Sequence, residues 1–409
     1  MLRLSALLAA LCLAPAAFGQ VHVKAILLDK PAGSTFAIPG TASVDAAGRR
    51  IFVPVSYYPL DEGAVVVIDA ANDKVVATIP VPYPSSGAVY NPVNKHLYVA
   101  TLPRWTKVGP GPGDWSVSVG GVLVIDPATG ALLKQVKEIP ESTQLAVNPA
   151  TNRIYASQWR YPFVEVIDGA KDEWLTRIAL PEDMHNPGPL AVHAQTNRVY
   201  LTLANARKLA SGSAFPLVTL DGAKNEVASI TEGEFGVLAI DPKRGQLWAG
   251  AVFTPTLSVV SLATGAVLAS KVPLAPSKNP YTSAEYVGGL AYDPRMDVVR
   301  ASKLISATFD QLDPVTRGVL GTVTVSSKPG LFGVAVNPAT GKIYLSQRDT
   351  FIGFQTPGAI FILRAECEGE VGDCEEDVAI PKGEGDATRS KWSPGRGDDE
   401  AAAKRSRAR

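Results

Sequence analysis

The sequence predicts an all-β protein, a single seven-bladed β-propeller with four antiparallel strands in each blade. Two observations predict this fold. One short segment recurs seven times along the chain, and each recurrence is followed by further apolar runs rich in β-branched residues. No amphipathic helix of useful length interrupts the repeats, and four strands in about 40–55 residues is the size of one propeller blade.

The recurring segment consists of two apolar runs joined by Asn or Asp, usually Pro, and then Gly or Asn. At 145–155 it reads Leu-Ala-Val-Asn-Pro-Ala-Thr-Asn-Arg-Ile-Tyr. Asn and Asp side chains cap turns, Pro presets φ, and Gly or Asn tolerates a positive φ, so each copy is predicted to be a hairpin. The other six copies begin at Ala42, Ala88, Leu190, Leu238, Leu290 and Val334.

A second hairpin of the same kind follows in each repeat. Its clearest copies lie at 65–79, 122–133, 164–175 and 257–268. The two hairpins together predict blades at 40–82, 83–140, 141–181, 182–233, 234–275, 276–330 and 331–364. The last copy holds only three strands, so the apolar run at 21–28 is predicted to close the ring as its outer strand, which leaves only short, protected edges.

These repeats resemble those of the YVTN family of β-propellers. That pattern is roughly Val-Ala-Val-Asn-Pro-x-Thr-Asn-Arg-Ile-Tyr-Val, then Val-Ser-Val-Ile-Asp, then Val-Val-Ala-Thr-Ile-Pro-Val, and Ala77-Thr-Ile-Pro-Val81 matches its last part. The resemblance covers about residues 21–364. It implies an exported propeller and carries no particular activity, because the family is described mostly as surface or exported propellers of uncertain activity.

The N-terminal segment predicts export. Residues 1–19 are typical of a secretory signal peptide, with Arg3, an apolar run at 4–14 and small residues at Ala17 and Gly19 before the cleavage point. A buried N-terminal helix is the alternative. The propeller is then expected at 20–364, and the protein in the periplasm or outside the cell.

A charged tail follows at 365–409 and is expected to be disordered, because few apolar residues lie between its acidic and basic ends. It holds Cys367 and Cys374, which are predicted to form a disulfide in an oxidising compartment, two free thiols being the alternative. The basic end could contact an anionic surface, although a solvated tail is the simpler interpretation.

Charge limits the partners. Lys plus Arg and Asp plus Glu balance at 39 each, so no basic field favours nucleic acid. No apolar run after the leader reaches transmembrane length. A closed ring is expected to act as a monomer, and its partner could be a protein, a glycan or a small ligand.

Loop lengths distinguish the two faces of the ring. The turns between the innermost and second strands, and between the third and outer strands, are short and share one side, called the turn face. The loops between second and third strands, and the links between blades, share the other side, called the loop face, and hold nearly all the length variation. Insertions confined to one face usually mark the binding face, although drift in tolerant loops is the alternative.

Aromatic and Arg residues in these loops predict a recognition surface, because such residues give large contact area at small entropic cost. They could instead pack beneath their own loops. The predicted ligand- or partner-binding residues are Tyr57, Tyr58, Arg104, Trp105, Trp115, Trp159, Arg160, Tyr161, Arg348 and Phe351.

Three acids give a second hypothesis. Glu141, Glu234 and Glu285 stand at nearly the same distance before the first turn of their blades, which places them near the start of the innermost strand. If they converged at the channel mouth they could bind Ca²⁺ or a similar cation and activate water for a lactonase-like hydrolysis. A solvated acidic rim is the alternative. No other cofactor is expected, because the four His residues lack metal-ligand spacing and no nucleotide or haem motif is present.

Overall fold

A computed structural model describes residues 21–107, 115–118, 120–158, 160–203, 207–209, 212–276, 285–348 and 358–365. Within these ranges the chain forms strands β1–β33 and no helix, and the strands build seven antiparallel sheets of blade size. The predicted seven-bladed, all-β fold is therefore confirmed. No helix in the described ranges has the length and apolar character needed to cross a bilayer.

The first four blades follow the chain. Blade 1 contains β2 (Phe36–Pro39), β3 (Ser43–Val44), β4 (Arg50–Tyr58), β5 (Glu62–Asp69) and β6 (Lys74–Val81). Blade 2 contains β7 (Ser85–Tyr90), β8 (Leu97–Thr101), β11 (Gly121–Ile125) and β12 (Leu132–Val136), and carries the hairpin β9 (Arg104–Lys107) and β10 (Trp115–Ser118). Blade 3 contains β13 (Gln144–Asn148), β14 (Arg153–Ser157), β15 (Phe163–Asp168) and β16 (Glu173–Ala179). Blade 4 contains β17 (Pro187–His193), β18 (Arg198–Leu203), β21 (Leu217–Asp221) and β22 (Glu226–Thr231), and carries the hairpin β19 (Arg207–Leu209) and β20 (Gly212–Ala214).

The last three blades complete the circle. Blade 5 contains β23 (Leu238–Asp241), β24 (Gln246–Gly250), β25 (Thr256–Ser261) and β26 (Val267–Pro273). Blade 6 contains β27 (Val287–Asp293), β28 (Val298–Lys303), β29 (Thr308–Leu312) and β30 (Val319–Thr324). Blade 7 contains β31 (Leu331–Val336), β32 (Ile343–Gln347), β33 (Ala359–Ala365) and β1 (Val21–Leu27).

The innermost strands lie side by side around the axis. Each contacts the innermost strand of the next blade, and β31 of blade 7 contacts β3 of blade 1. The approach is close enough that Gly333, at a φ of 65°, faces Thr41 with no room for a Cβ atom. Blade 1 differs from its predicted bounds because its innermost strand begins at Phe36 and is interrupted at Gly40, whose amide donates to the Pro54 carbonyl at 2.8 Å.

Each sheet buries both of its faces, because side chains alternate along a strand. In β4, Ile51 packs with Ile360 and Ile362 of blade 7, whereas its neighbour Phe52 packs with Leu97 of blade 2. Every one of the seven apolar clusters among the described residues combines two consecutive blades in this way. The core is therefore a circle of layers between blades.

Polar side chains on the turn face join each blade to its successor. With one such bond taken at each interface, six of the seven donors are Arg or Asn side chains, and all but one lie in or beside the turn after the innermost strand. From the first interface to the seventh, the bonds run from Arg50 Nη1 to the Pro127 carbonyl (2.8 Å), Asn91 Nδ2 to Asn152 Oδ1 (2.7 Å), Asn148 Nδ2 to Asn197 Oδ1 (2.7 Å), Tyr200 Oη to the Leu262 carbonyl (3.3 Å), Arg244 Nη1 to Asp297 Oδ1 (2.7 Å), Arg295 Nη1 to the Ala339 carbonyl (3.2 Å) and Asn337 Nδ2 to the Gly48 carbonyl (2.8 Å).

The N-terminal strand closes the ring, as predicted. Strand β1 pairs antiparallel with β33 from Val21 opposite Ala365 to Leu27 opposite Ala359. Asp73, only 1% exposed in the last turn of blade 1, forms ion pairs with two cations of blade 7. Its partners there are Lys342, at 2.8 Å, and Arg364.

Asp73→Asn is expected to lower the free energy of unfolding by roughly 2–4 kcal/mol, because it leaves two cations of the closing blade without their acid, one of them partly solvated. Urea denaturation followed by fluorescence measures the change. The control is Glu173→Gln, which breaks an exposed, solvent-screened pair with Lys134 at 2.9 Å and should change stability much less than Asp73→Asn does. Equal small effects of both substitutions would show that Asp73 does not hold the closing blade.

Candidate functional site

Three aromatic rings from consecutive blades meet on the loop face. The rings of Phe215 and Phe253 are 5.3 Å apart at 77°, and those of Phe253 and Tyr286 are 6.5 Å apart at 71°. Both are edge-to-face geometries, which aromatic pairs favour. Phe215 is buried, Tyr286 is partly buried, and Phe253 is 57% exposed. The group, called the aromatic cluster, presents one ring to solvent on two supporting rings.

Backbone bonds hold the base of this cluster. The Phe215 amide donates to the Gly233 carbonyl, and the Phe235 amide donates to the Phe215 carbonyl, both at 2.8 Å. The short loop after β24 carries Phe253 and is closed by the Ala251 amide, which donates to the Thr256 carbonyl at 2.9 Å. Phe253 is therefore presented by a tight, defined loop.

The two predicted Tyr residues of blade 1 have different environments. Strand β4 continues through both of them, with Tyr57 opposite Glu62 of β5, so the prediction that they lie in a loop was wrong. Tyr57 joins the core between blades 7 and 1, where burial and then the charge of Asp29 raise the pKa of its hydroxyl. Tyr58 is exposed and stacks on Phe36 at 6.2 Å. Of the pair, Tyr58 is the one that a ligand can reach.

Blade 3 supplies a second exposed ring. Tyr161 is 47% exposed and stacks on Phe163 at 6.3 Å. The guanidinium of Arg177 lies 4.5 Å from the centroid of the same Phe163 ring. Beside Tyr161, the Arg160 side chain is also partly exposed and its Nε lies 3.8 Å from Glu141 Oε2.

Arg348 lies at the loop-face end of β32. Its Cζ is 3.7 Å from the centroid of the Phe332 ring, and Phe332 is the second residue of the innermost strand of blade 7. Its backbone amide donates to the Gly330 carbonyl at 3.0 Å. Because innermost strands border the axis, this pair lies at the mouth of the central channel.

Other predicted binding residues are placed only in part. Arg104 lies in β9 opposite Ser118, and its side chain is partly buried. Trp105 and Trp115 belong to the same added hairpin. Trp159 and Phe351 lie outside the described residues, as do the leader at 1–19, the cysteines Cys367 and Cys374, and the tail beyond 365. Their predicted roles stay predictions.

Two of the three predicted metal-binding acids hold backbone instead. Glu285 is buried and accepts hydrogen bonds from the amides of Ile305 (2.8 Å), Tyr286 (3.1 Å) and Ser306 (3.0 Å). Glu141 is buried and accepts from the Arg160 amide at 2.8 Å. Each acid thus fastens the link entering its blade to a loop of that same blade.

The acids do not form one site in the described structure. Glu234, at the matching position of blade 5, is exposed. The described ranges contain no group of three or more His, Cys, Asp or Glu side chains placed to hold a metal ion. The equal spacing therefore brings the acids to equivalent places on separate blades, and the hydrolase hypothesis gains no support from their geometry.

Sequence reasoning missed Phe253, Phe332 and the role of Glu285. Phe253 lies in a short loop, whereas loop length was the feature that predicted the binding residues. Phe332 stands just before the recurring segment, in a position that is predicted to be ordinary strand. A usable signal for Glu285 was its place in the link entering blade 6, because backbone amides that are buried outside the strand pairing need acceptors.

No family model matches the chain. No curated protein sequence matches it either. Among solved structures it is similar to a chain titled Kuenenia stuttgartiensis hydrazine synthase, with a TM-score of 0.58 and 16% sequence identity over 79% of this chain and 94% of that one. Since 1246 solved chains match, a likeness at such low identity shows the fold alone.

Glu285→Gln is expected to lower the free energy of unfolding by about 1–3 kcal/mol, because the new side-chain NH₂ would face a backbone N–H that now donates to a carboxylate oxygen. Chemical denaturation measures it. The control is Glu234→Gln at the matching exposed position, which should change stability by less than about 0.5 kcal/mol. If Glu285→Gln is as neutral as this control, the carboxylate does not fasten the loop.

Glu141→Gln should behave differently because burial raises the pKa of Glu141, an effect that the amide and charge of Arg160 only partly oppose. A carboxyl whose pKa is raised by folding stabilises the fold at pH values below its ordinary pKa of ~4.3. That stabilisation is lost as the pH rises through the pKa of the carboxyl in the folded state. The variant keeps a carbonyl acceptor for the Arg160 amide and has no charge. Its melting temperature relative to the natural protein should therefore increase from about pH 4 to about pH 7. A difference that is constant with pH would contradict this.

Proposed function

We propose that the chain is an exported propeller of the YVTN kind that acts as a binding module and holds a protein, glycan or small ligand on its loop face. The observation that carries the proposal is the aromatic cluster, in which Phe253 is exposed on the supporting rings of Phe215 and Tyr286. Rigid aromatic anchors at the centre of a patch typically supply most of the energy of recognition.

The rest of the loop face supports the same function. Tyr58 and Tyr161 are exposed on blades 1 and 3, and each stacks on a Phe ring that holds it in place. The turn face has a different use, because its polar side chains join neighbouring blades. A division of this kind leaves the loop face free to vary with the ligand.

The proposal that the protein is exported rests on the leader at 1–19. The proposal that it is a monomer rests on the closed ring. The geometry gives the lactonase-like alternative no support, since Glu141 and Glu285 accept backbone hydrogen bonds. The hydrazine synthase chain supports the scaffold and lends no activity to this one.

Phe253→Ala is expected to weaken ligand capture about tenfold, because truncating a central aromatic anchor costs on the order of 1–2 kcal/mol of binding energy. Because the ring is largely exposed, the fold should remain intact by circular dichroism. The immobilised protein would be exposed to periplasmic and secreted extract and to an oligosaccharide panel, and the retained species quantified.

The matched control is Met296→Ala, because Met296 is 55% exposed in a turn on the opposite face. It should retain the same species as the natural protein. Retention by Phe253→Ala equal to that of Met296→Ala would contradict the assignment of the loop face as the binding face.

A further inference from the structure

Arg348 is placed unlike the other Arg residues that contact aromatic rings. Arg177 also stacks on a ring, but it pairs with Glu165 at 2.7 Å. Arg300, near Phe309, pairs with Asp293 at 2.7 Å. Within the described residues, the guanidinium of Arg348 has the Phe332 ring as its contact and no carboxylate partner.

The surroundings of Arg348 disfavour an uncompensated charge. Burial lowers the pKa of its guanidinium to about 10, and no acid in the described ranges offsets that effect. The group remains a cation at neutral pH. A cation held in a protein recess without a partner is a favourable place for an anion, because its water shell has already been partly removed.

The geometry also selects the kind of anion. Stacking on Phe332 occupies one flat face of the guanidinium and leaves the N–H groups at its edge available. Those donors form a planar fork that matches two oxygens of a carboxylate or a phosphate. A halide or a neutral amide would use this fork less well.

The backbone around Arg348 is fixed before any ligand arrives. Gln347 Nε2 donates to the Lys328 carbonyl at 2.7 Å, which holds the link entering blade 7 against the end of β32. Gly330, at a φ of 104°, lies so close to Arg348 that a Cβ atom would clash with its carbonyl oxygen. Such preorganisation reduces the entropy lost on binding.

We propose that Arg348 and Phe332 form a subsite at the channel mouth for an oxyanion group of the ligand, either a carboxylate or a phosphate. The subsite rests on the proposed function in one respect, that the loop face is the face where the ligand binds. It adds the chemical class of the ligand, which is an anionic molecule whose charged group enters the channel mouth.

The test is isothermal titration of the full-length protein with inorganic phosphate and, separately, with succinate, against sodium chloride at matched ionic strength. Both oxyanions should bind saturably, and the tighter of the two identifies the group preferred. Arg348→Met should weaken binding about tenfold to a hundredfold, because it removes a charge-assisted bidentate contact. The affinity of Arg348→Lys should lie between those of the natural protein and Arg348→Met, since the variant keeps the charge and loses the planar fork of donors.

The matched control is Arg49→Met, which removes an exposed Arg from the turn face and should leave both affinities unchanged. Folding is checked by melting in chloride alone, where Arg348→Met should melt at the same or a higher temperature because it removes a charge that has no acid partner among the described residues. The proposal is overturned if the natural protein shows no saturable binding at tens of millimolar oxyanion, or if Arg348→Met binds the oxyanions as tightly as the natural protein. It is also overturned if Arg49→Met loses as much affinity as Arg348→Met.

The two proposals fail separately. Phosphate and succinate titrations report on Arg348 alone and do not depend on what the aromatic cluster captures. If oxyanions bind through Arg348 while the Phe253→Ala result contradicts the loop face, the oxyanion site at Arg348 stands, and its assignment to the charged group of the module's ligand falls with the binding-module proposal. The reverse pair of results removes the anion site and leaves the aromatic surface.

Discussion

The structure depends on one constraint, that every blade must bury both faces of its sheet against two neighbours. A lone four-stranded sheet of this composition would leave one apolar face in water, and only a complete ring satisfies all seven sheets at once. The pairing of β1 with β33 joins the first and last strands of the ring within the sheet of blade 7, and the ion pairs of Asp73 link that blade to blade 1. The ring is therefore closed by non-covalent pairing of its two end strands.

Two kinds of interaction hold neighbouring blades together. Apolar layers supply the non-directional attraction, and side-chain hydrogen bonds on the turn face fix how each blade is rotated against the next. Asn91 and Asn148 show this well, because each reaches an Asn in the turn of the following blade at 2.7 Å. The recurring Asn-Pro turn thus serves a second purpose beyond reversing the chain.

The fold could be predicted because its information is local and repeated. The hairpin motif at 145–155 encodes its own turn, and seven copies leave little choice of architecture. The site could be predicted only in outline. Tyr57 was expected on the surface and is in the core, because the length of β4 depends on pairing with β5 as well as on local sequence. Convergence of the acids was one hypothesis and a solvated rim the other, whereas Glu285 accepts from three backbone amides of its own link and loop, which need an acceptor.

The register of the closing pair has a consequence for how the molecule can be presented. Val21 and Ala365 stand opposite each other at the turn-face end of blade 7, so the polypeptide enters and leaves the ring at nearly one point. Any tether attached there, whether a linker, a lipid or a fused domain, would hold the propeller by its turn face. The loop face, with its exposed aromatic residues, would then point away from the anchoring surface and towards the surrounding solution.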